Sequence, residues 1–170
     1  TIDTGAGTDI LSLTDDAVVI DTDFDNISNL ETLTATADIN LTVTLGAHAS
    51  TAGLATVTLT DTGAADTLTV GAGFVNNLTV NNRSDASAAI SVTATNFTKV
   101  LTVASDATDL DTTASTIVGG TGTADEIQIT GSASLTVVTP TNWSAVEKIT
   151  AVGTSGSFSL TTADGNIASG

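Results

Sequence analysis

Apolar residues recur along this chain in short alternating runs: Leu11/Leu13, Val18/Ile20, Leu33/Ala35, Leu41/Val43/Leu45, Val57/Leu59, Leu68/Val70, Leu78/Val80, Ile90/Val92, Leu101/Val103, Ile127/Ile129, Leu135/Val137, Ile149/Ala151 and Phe158/Leu160. Alternation at every second position marks a half-buried strand, so each run predicts a strand of about three to five residues. Gly, Asp, Asn, Ser and Thr fill the intervals and supply the turns. The runs sort into two interleaved series. One is centred near residues 12, 34, 58, 79, 102, 128 and 150. The other is centred near 19, 43, 69, 91, 136 and 159, with a gap that Leu110 or Ile117 should fill. Within a series the step is roughly 23 residues, the scale of a stacked supersecondary unit.

A longer repeat contains this one. Asp9 matches Asp125, Leu11 matches Ile127, Leu13 matches Ile129, and Asn26–Ala35 matches Asn142–Ala151, all at an offset of 116 positions. Five steps of the short period make one of the long. The chain is therefore expected to be one continuous repeat domain over residues 1–170, with a long repeat at 1–116 and a partial second copy at 117–170. The first residue is Thr, which suggests a processed product or a piece of a longer protein.

Two strands per 23-residue coil predict an all-β fold, a parallel β-solenoid in which each strand stacks on its counterpart one coil away, about 4.8 Å distant. About seven coils would make a rod of roughly 35 Å. Leu11, Leu33, Leu59, Leu78, Leu101, Ile127 and Ile149 should share one side of one core. Ser12, Thr34, Thr58, Thr79, Thr102, Gln128 and Thr150 should form one outward column, and Thr42, Thr69, Ser91, Thr136 and Ser159 a second. Tandem Ig-like β-sandwiches are the alternative, since turn signals also recur there every 8–12 residues. The near absence of helix-period patterns and the single Pro140 argue against helices.

Composition changes the picture in two ways. Thr and Ser make up nearly a third of the residues, a usage that suits short, half-exposed strands. Net charge is −16, with only Arg83, Lys99 and Lys148 as strong cations, so phosphate backbones are poor partners and nucleic acid is excluded. No stretch approaches the ~20 apolar residues that a spanning helix needs, which argues against membrane insertion. A hard cation held by oxygen ligands suits the acidity, and Ca²⁺ is the expected cofactor; solubility alone is the competing explanation.

The Gly-rich turns Gly5-Ala-Gly-Thr-Asp-Ile-Leu and Gly119-Gly-Thr-Gly-Thr-Ala-Asp-Glu-Ile resemble the calcium-binding nonapeptides of RTX proteins. The Thr-rich, Asp-rich, Cys-free remainder is similar to bacterial S-layer proteins and large secreted β-strand-repeat adhesins. That resemblance implies a secreted, self-assembling cell-surface protein. In the RTX family the nonapeptides run in tandem and consecutive turns share each ion. Here they are isolated, and Gly63-Ala-Ala-Asp66 lacks the second glycine, so single sites are expected rather than a ladder of ions.

The densest acidic stretch is Asp15-Asp16 followed by Asp21-Thr-Asp-Phe-Asp-Asn26. Carboxylates at alternate loop positions converge on one ion in calcium loops, which makes Asp21, Asp23 and Asp25 the leading metal candidates. Asp9 and Asp125 follow, each after a Gly-rich turn. The glycine and the twelfth-position acid of the usual loop are absent, Ile27 and Thr32 standing there. Asp109 and Asp111 form a smaller candidate pair. Six Asn-x-Ser/Thr triplets, at Asn26, Asn40, Asn77, Asn82, Asn96 and Asn142, are possible glycan acceptors in a surface protein.

Enzymatic readings find little support. The one histidine, His48, has no acid near it in sequence and reads as an exposed loop residue. Trp143 matches Ile27, an apolar position, and reads as core. No phosphate loop ending in Gly-Lys-Ser/Thr is present. The expected function is a non-enzymatic, extracellular segment or subunit of an S-layer, matrix filament or adhesin stalk, stabilised by calcium. Its partners would be copies of itself, neighbouring repeats of a longer chain, or cell-surface polysaccharide. An ice-binding or glycan-binding adhesin module is the alternative, on the regularity of the Thr columns.

Overall fold

The computed structural model describes residues 1–35, 39–60, 65–82, 89–110, 115–131, 135–138, 142–153 and 158–161. Its strands are numbered β1 to β17 in chain order. A two-stranded pair joins β1 (Ile2–Asp3) to β4 (Ile27–Ser28). One face is a seven-stranded sheet of β2 (Ile10–Leu13), β5 (Thr32–Ala35), β7 (Thr56–Leu59), β9 (Leu78–Asn82), β11 (Leu101–Asp106), β13 (Glu126–Thr130) and β16 (Lys148–Val152). The second face is a six-stranded sheet of β3 (Ala17–Val19), β6 (Leu41–Leu45), β8 (Asp66–Val70), β10 (Ile90–Thr93), β12 (Thr116–Val118) and β15 (Trp143–Ser144). A last pair joins β14 (Leu135–Val138) to β17 (Phe158–Thr161).

Every strand pairing among the described residues is parallel, each strand lying on the one a coil away. This is a β-solenoid of about five turns. Sandwiches are ruled out, because their sheets are built from antiparallel neighbours. On the first face, partners lie 22, 24, 23, 23, 24 and 22 positions apart, as in Ile10↔Thr32, Thr32↔Thr56, Thr56↔Thr79, Leu78↔Leu101, Thr102↔Glu126 and Glu126↔Lys148. The two apolar series of the sequence are these two faces as far as β12, where Ile117 fills the gap and Leu110 falls in a short helix. Beyond β12 the second face continues through β15 and not through β14 and β17, so the count of turns falls short of seven.

The core is one continuous cluster inside both sheets. The seven expected core residues all lie on the first face, but in three adjacent inward columns. One column is Leu11, Leu33, Val57, Val80, Val103, Ile127 and Ile149. Leu59 lies two positions further along its strand, whereas Leu78 and Leu101 lie two positions earlier. Since the side-chain period is two, a two-residue offset keeps the burial and changes only the neighbour. The outward column divides in the same way: Thr32, Thr56, Thr79 and Thr102 stack in one, Ser12, Thr34 and Thr58 in another. On the second face Thr42, Thr67, Ser91 and Thr116 stack, beside Thr44, Thr69 and Thr93. Among the described residues Thr136 and Ser159 pair only with each other.

β3 corrects a reading of phase. Within Ala17-Val-Val-Ile20 every residue is apolar, so alternation gives no phase. The register against β6 turns Val19 inward and leaves Val18 exposed.

Short helices also interrupt the β pattern. A 3₁₀ turn spans Asp21–Phe24, α1 spans Ala47–Ala52 and α2 spans Ala107–Leu110. Elements of four to six residues are too short to show a helical period in sequence. α2 lies on the connection from the first face to the second, between β11 and β12, whereas the 3₁₀ turn and α1 lie on the segments that return the chain from the second face to the first face of the next coil. Phe24, Phe74 and Phe97 fill the core on this return side, with the rings of the last two 5.9 Å apart. Trp143 is buried, as its match to Ile27 implied. No helix among the described residues is long and apolar enough to cross a membrane.

Candidate functional site

The acidic residues gather at the corners where coils meet, so the corners are the candidate site. Asp21 opens the 3₁₀ turn and faces the start of α1 one coil on. Its Oδ1 accepts from the backbone N–H of Gly46 (2.7 Å) and Ala49 (3.0 Å), and its Oδ2 from that of His48 (3.2 Å). Gly46 has no side chain to cap the helix, so Asp21 caps it from the neighbouring coil. A Cβ on Gly46 would collide with this carboxylate. The Ala-rich run 47–52 then ends at Gly53, whose φ of 109° is left-handed.

Asp23 turns back within its own coil, its Oδ2 accepting from the Ile20 N–H at 2.9 Å. Asp25 Oδ1 pairs with His48 Nδ1. His48 is exposed as expected, but it stands on a helix, and the acid it lacks in sequence reaches it from one coil away. A shallow cleft of about 170 Å³ lies beside this pair, lined by Phe24, Asp25, Asn26, Ile27, Ala47, His48 and Thr51.

Asp125 closes the Gly-rich turn and is buried. Its Oδ1 accepts from the N–H of Leu101 (2.8 Å) in the preceding coil, and its Oδ2 from that of Gly120 (2.6 Å). Its own N–H donates to Glu147 Oε2 at 2.8 Å, one coil on. The glycines of this turn allow the coils to approach. A Cβ on Gly119 would run into the carbonyl of Ala145, and one on Gly120 into that of Phe97. At the matching N-terminal turn, Asp9 N–H donates to Glu31 Oε2 at 2.9 Å, while Asp9 Oδ2 is enclosed without a hydrogen-bond partner among the described residues.

Sequence reasoning passed over two members of this set, Glu31 and Glu147. Glu31 and Glu147 each stand 22 positions after Asp9 and Asp125, one coil later, and that shared spacing was the available signal. Asp16 Oδ1 accepts from Asn40 N–H at 2.8 Å, and Asp66 Oδ1 from Leu41 N–H at 2.9 Å. Asp109, a minor metal candidate, is buried and accepts at Oδ2 from Asn82 Nδ2 (3.0 Å). Asn82 Nδ2 also donates to Ser105 Oγ (3.0 Å), so this buried amide is not an accessible glycan acceptor. Asp111 lies outside the described residues.

Asp21, Asp23 and Asp25 thus share a corner without converging on one point, and Asp9 and Asp125 sit at two others. Among the described residues, no three acidic or imidazole side chains are placed to hold one ion. Both oxygens of Asp21 and of Asp125 face N–H donors, whose positive ends suit an anion and not a cation. As placed, Asp21 and Asp125 offer N–H-bound oxygens and not the open shell of six to eight oxygens that Ca²⁺ takes.

The chain matches no family model, no curated protein and no solved structure.

Proposed function

We propose that the chain is a structural, non-enzymatic segment of an extracellular surface assembly: an S-layer, matrix filament or adhesin stalk. One observation carries this reading. The first face is a single parallel ladder of seven strands over one unbroken core, so bending it requires breaking backbone hydrogen bonds and core contacts together. Its end strands, β2 and β16, have a neighbour on one side only among the described residues. Such edges pair readily with further strands. Leu11, on the inward column of β2, is partly exposed at the N-terminal coil, where a neighbouring coil would cover it.

The test is small-angle scattering over rising concentration, with electron microscopy of the same samples. Rods of constant cross-section and growing length are expected. Compact particles of unchanging size and low axial ratio would overturn the proposal.

A second reading, an ice-binding or glycan-binding adhesin module, is favoured by one feature. The outward positions of β6, β8, β10 and β12 are Thr or Ser apart from Val118, and none is charged in a chain of net charge −16. Thermal hysteresis of the purified protein tests ice, and a glycan array tests sugars. Binding lost in Thr67→Lys would favour this reading over the purely mechanical one.

A further inference from the structure

Four aspartates on four stretches of the solenoid share one habit. Asp16, Asp21, Asp66 and Asp125 each direct a carboxylate oxygen onto backbone N–H groups one coil away: Asn40; Gly46, His48 and Ala49; Leu41; and Leu101. The N–H groups concerned lie where the regular ladder stops. Asn40 and Leu41 lead into β6, Leu101 opens β11, and Gly46 to Ala49 open α1. Helix starts leave such donors without intrahelical partners, and strand ends leave them outside the ladder. Inside a close-packed corner water cannot reach every one of them. A carboxylate accepts several N–H bonds at once, and each is stronger than its neutral counterpart.

We infer that these aspartates are register clamps that replace calcium: each locks its coil to a neighbour through left-over backbone N–H groups, and the solenoid holds its stability without Ca²⁺. The clamps act on register because a slip of one residue would present the wrong backbone group to the carboxylate and turn the core face outward. The glycines at 119 and 120 serve the same end, since they let adjacent coils come close enough for Asp125 to reach across. The inference is separate from the surface-assembly reading, because a rod clamped by carboxylates and one clamped by ions have the same shape.

The experiment melts the full chain in millimolar chelator and in millimolar Ca²⁺, with Asp21→Ala and Asp21→Asn beside the parent protein. The parent curves should superimpose. Asp21→Ala should lower Tm by roughly 5–10 °C, equally in both conditions, from the loss of several charge-assisted bonds. Asp21→Asn keeps one acceptor oxygen and should recover part of that shift. Should the Asp21 variants fail to fold, Asp16→Asn at its exposed corner gives a milder version of the same comparison, and calorimetric titration of the parent with Ca²⁺ reads the ion directly. A parent Tm that rises with Ca²⁺, or saturable Ca²⁺ heat lost in Asp21→Asn or Asp16→Asn, would overturn the clamp and restore the ion. End-to-end association in scattering is unaffected by either result, so the two proposals fail separately.

Discussion

The corners at Asp125 and Asp9 are built from matching residues one long repeat apart, and only one of them is closed. Their lower halves agree. Each aspartate N–H donates to a glutamate one coil on, Glu147 or Glu31, and each aspartate carbonyl accepts a backbone N–H from that coil. Their upper halves differ. Asp125 finds Leu101 above it and a tight glycine turn beside it. Asp9 has no described coil above it, its Oδ2 has no partner among the described residues, and Gly5 and Gly7 in its turn border open space. The core follows suit: Ile127 is fully buried, while Leu11, at the same place in the repeat, is 38% exposed. The difference teaches that a coil of this solenoid is completed by the coil before it. Like sequence gives like structure only where the neighbour is present.

The sharpest way to break this comparison is in the core. Ile127→Ala should cost about 2–5 kcal/mol, as truncations at fully buried sites do. Leu11→Ala should cost less than about 1 kcal/mol, because its side chain is already partly in water. Urea titrations of the two variants measure the gap, and equal losses would mean that the N-terminal coil is packed as tightly as the internal one.

The corners come next. Asp125→Ala leaves two N–H groups in a buried corner without their acceptor, at about 1–3 kcal/mol each. Asp9→Ala removes a carboxylate whose enclosed oxygen has no partner among the described residues, and should be neutral or stabilising. The same titrations decide, and a costly Asp9→Ala would show that something closes that corner in solution.

The smallest effect concerns a pair that the N-terminal copy lacks. Glu126 and Lys148 stand where the first copy has Ile10 and Thr32, with Lys148 Nζ 3.1 Å from Glu126 Oε1. Burial raises the Glu126 pKa, but hydrogen bonds from Thr150, Lys148 and Gln128 and the charge of Lys148 together hold it below its ordinary 4.5. A depressed folded-state pKa adds stability that is fully present above the unfolded value and lost as pH falls through the folded one. Glu126→Gln should therefore lose slightly less stability than the parent on acidification below about pH 4.5. Parallel denaturation curves from pH 7 to pH 3 check the sign.

Much of the architecture was legible because it rests on period alone. Two alternating series with a common step fold as two parallel faces, and the constant offset of 116 anticipates which corners resemble one another. The rest depended on phase and on neighbours. Leu59 and Leu78 kept their face but changed column, since an inward residue can shift by two without exposing itself. Val18 turned outward because Ala17-Val-Val-Ile20 has no polar residue to mark the phase. The corner chemistry was read from oxygen density, which made Asp21 a metal candidate and said nothing of the main chain. The partners found for it are main-chain N–H groups more than twenty positions away, and a sequence records backbone donors nowhere. Spacing was the usable trace: Glu31 after Asp9 and Glu147 after Asp125, each at one coil's length.

The one-coil register also sets how such a chain would yield to load. Its strands lie across the solenoid axis and pair only with the coils on either side, so tension on the two ends opens one coil at a time, hydrogen bond by hydrogen bond, like a zipper. Each opening releases about 23 residues, roughly 80 Å of extended chain, many times the 4.8 Å rise that the folded coil occupied. A segment that is rigid at rest would thus lengthen in equal steps under tension, and each step would spare the coils still stacked beyond it.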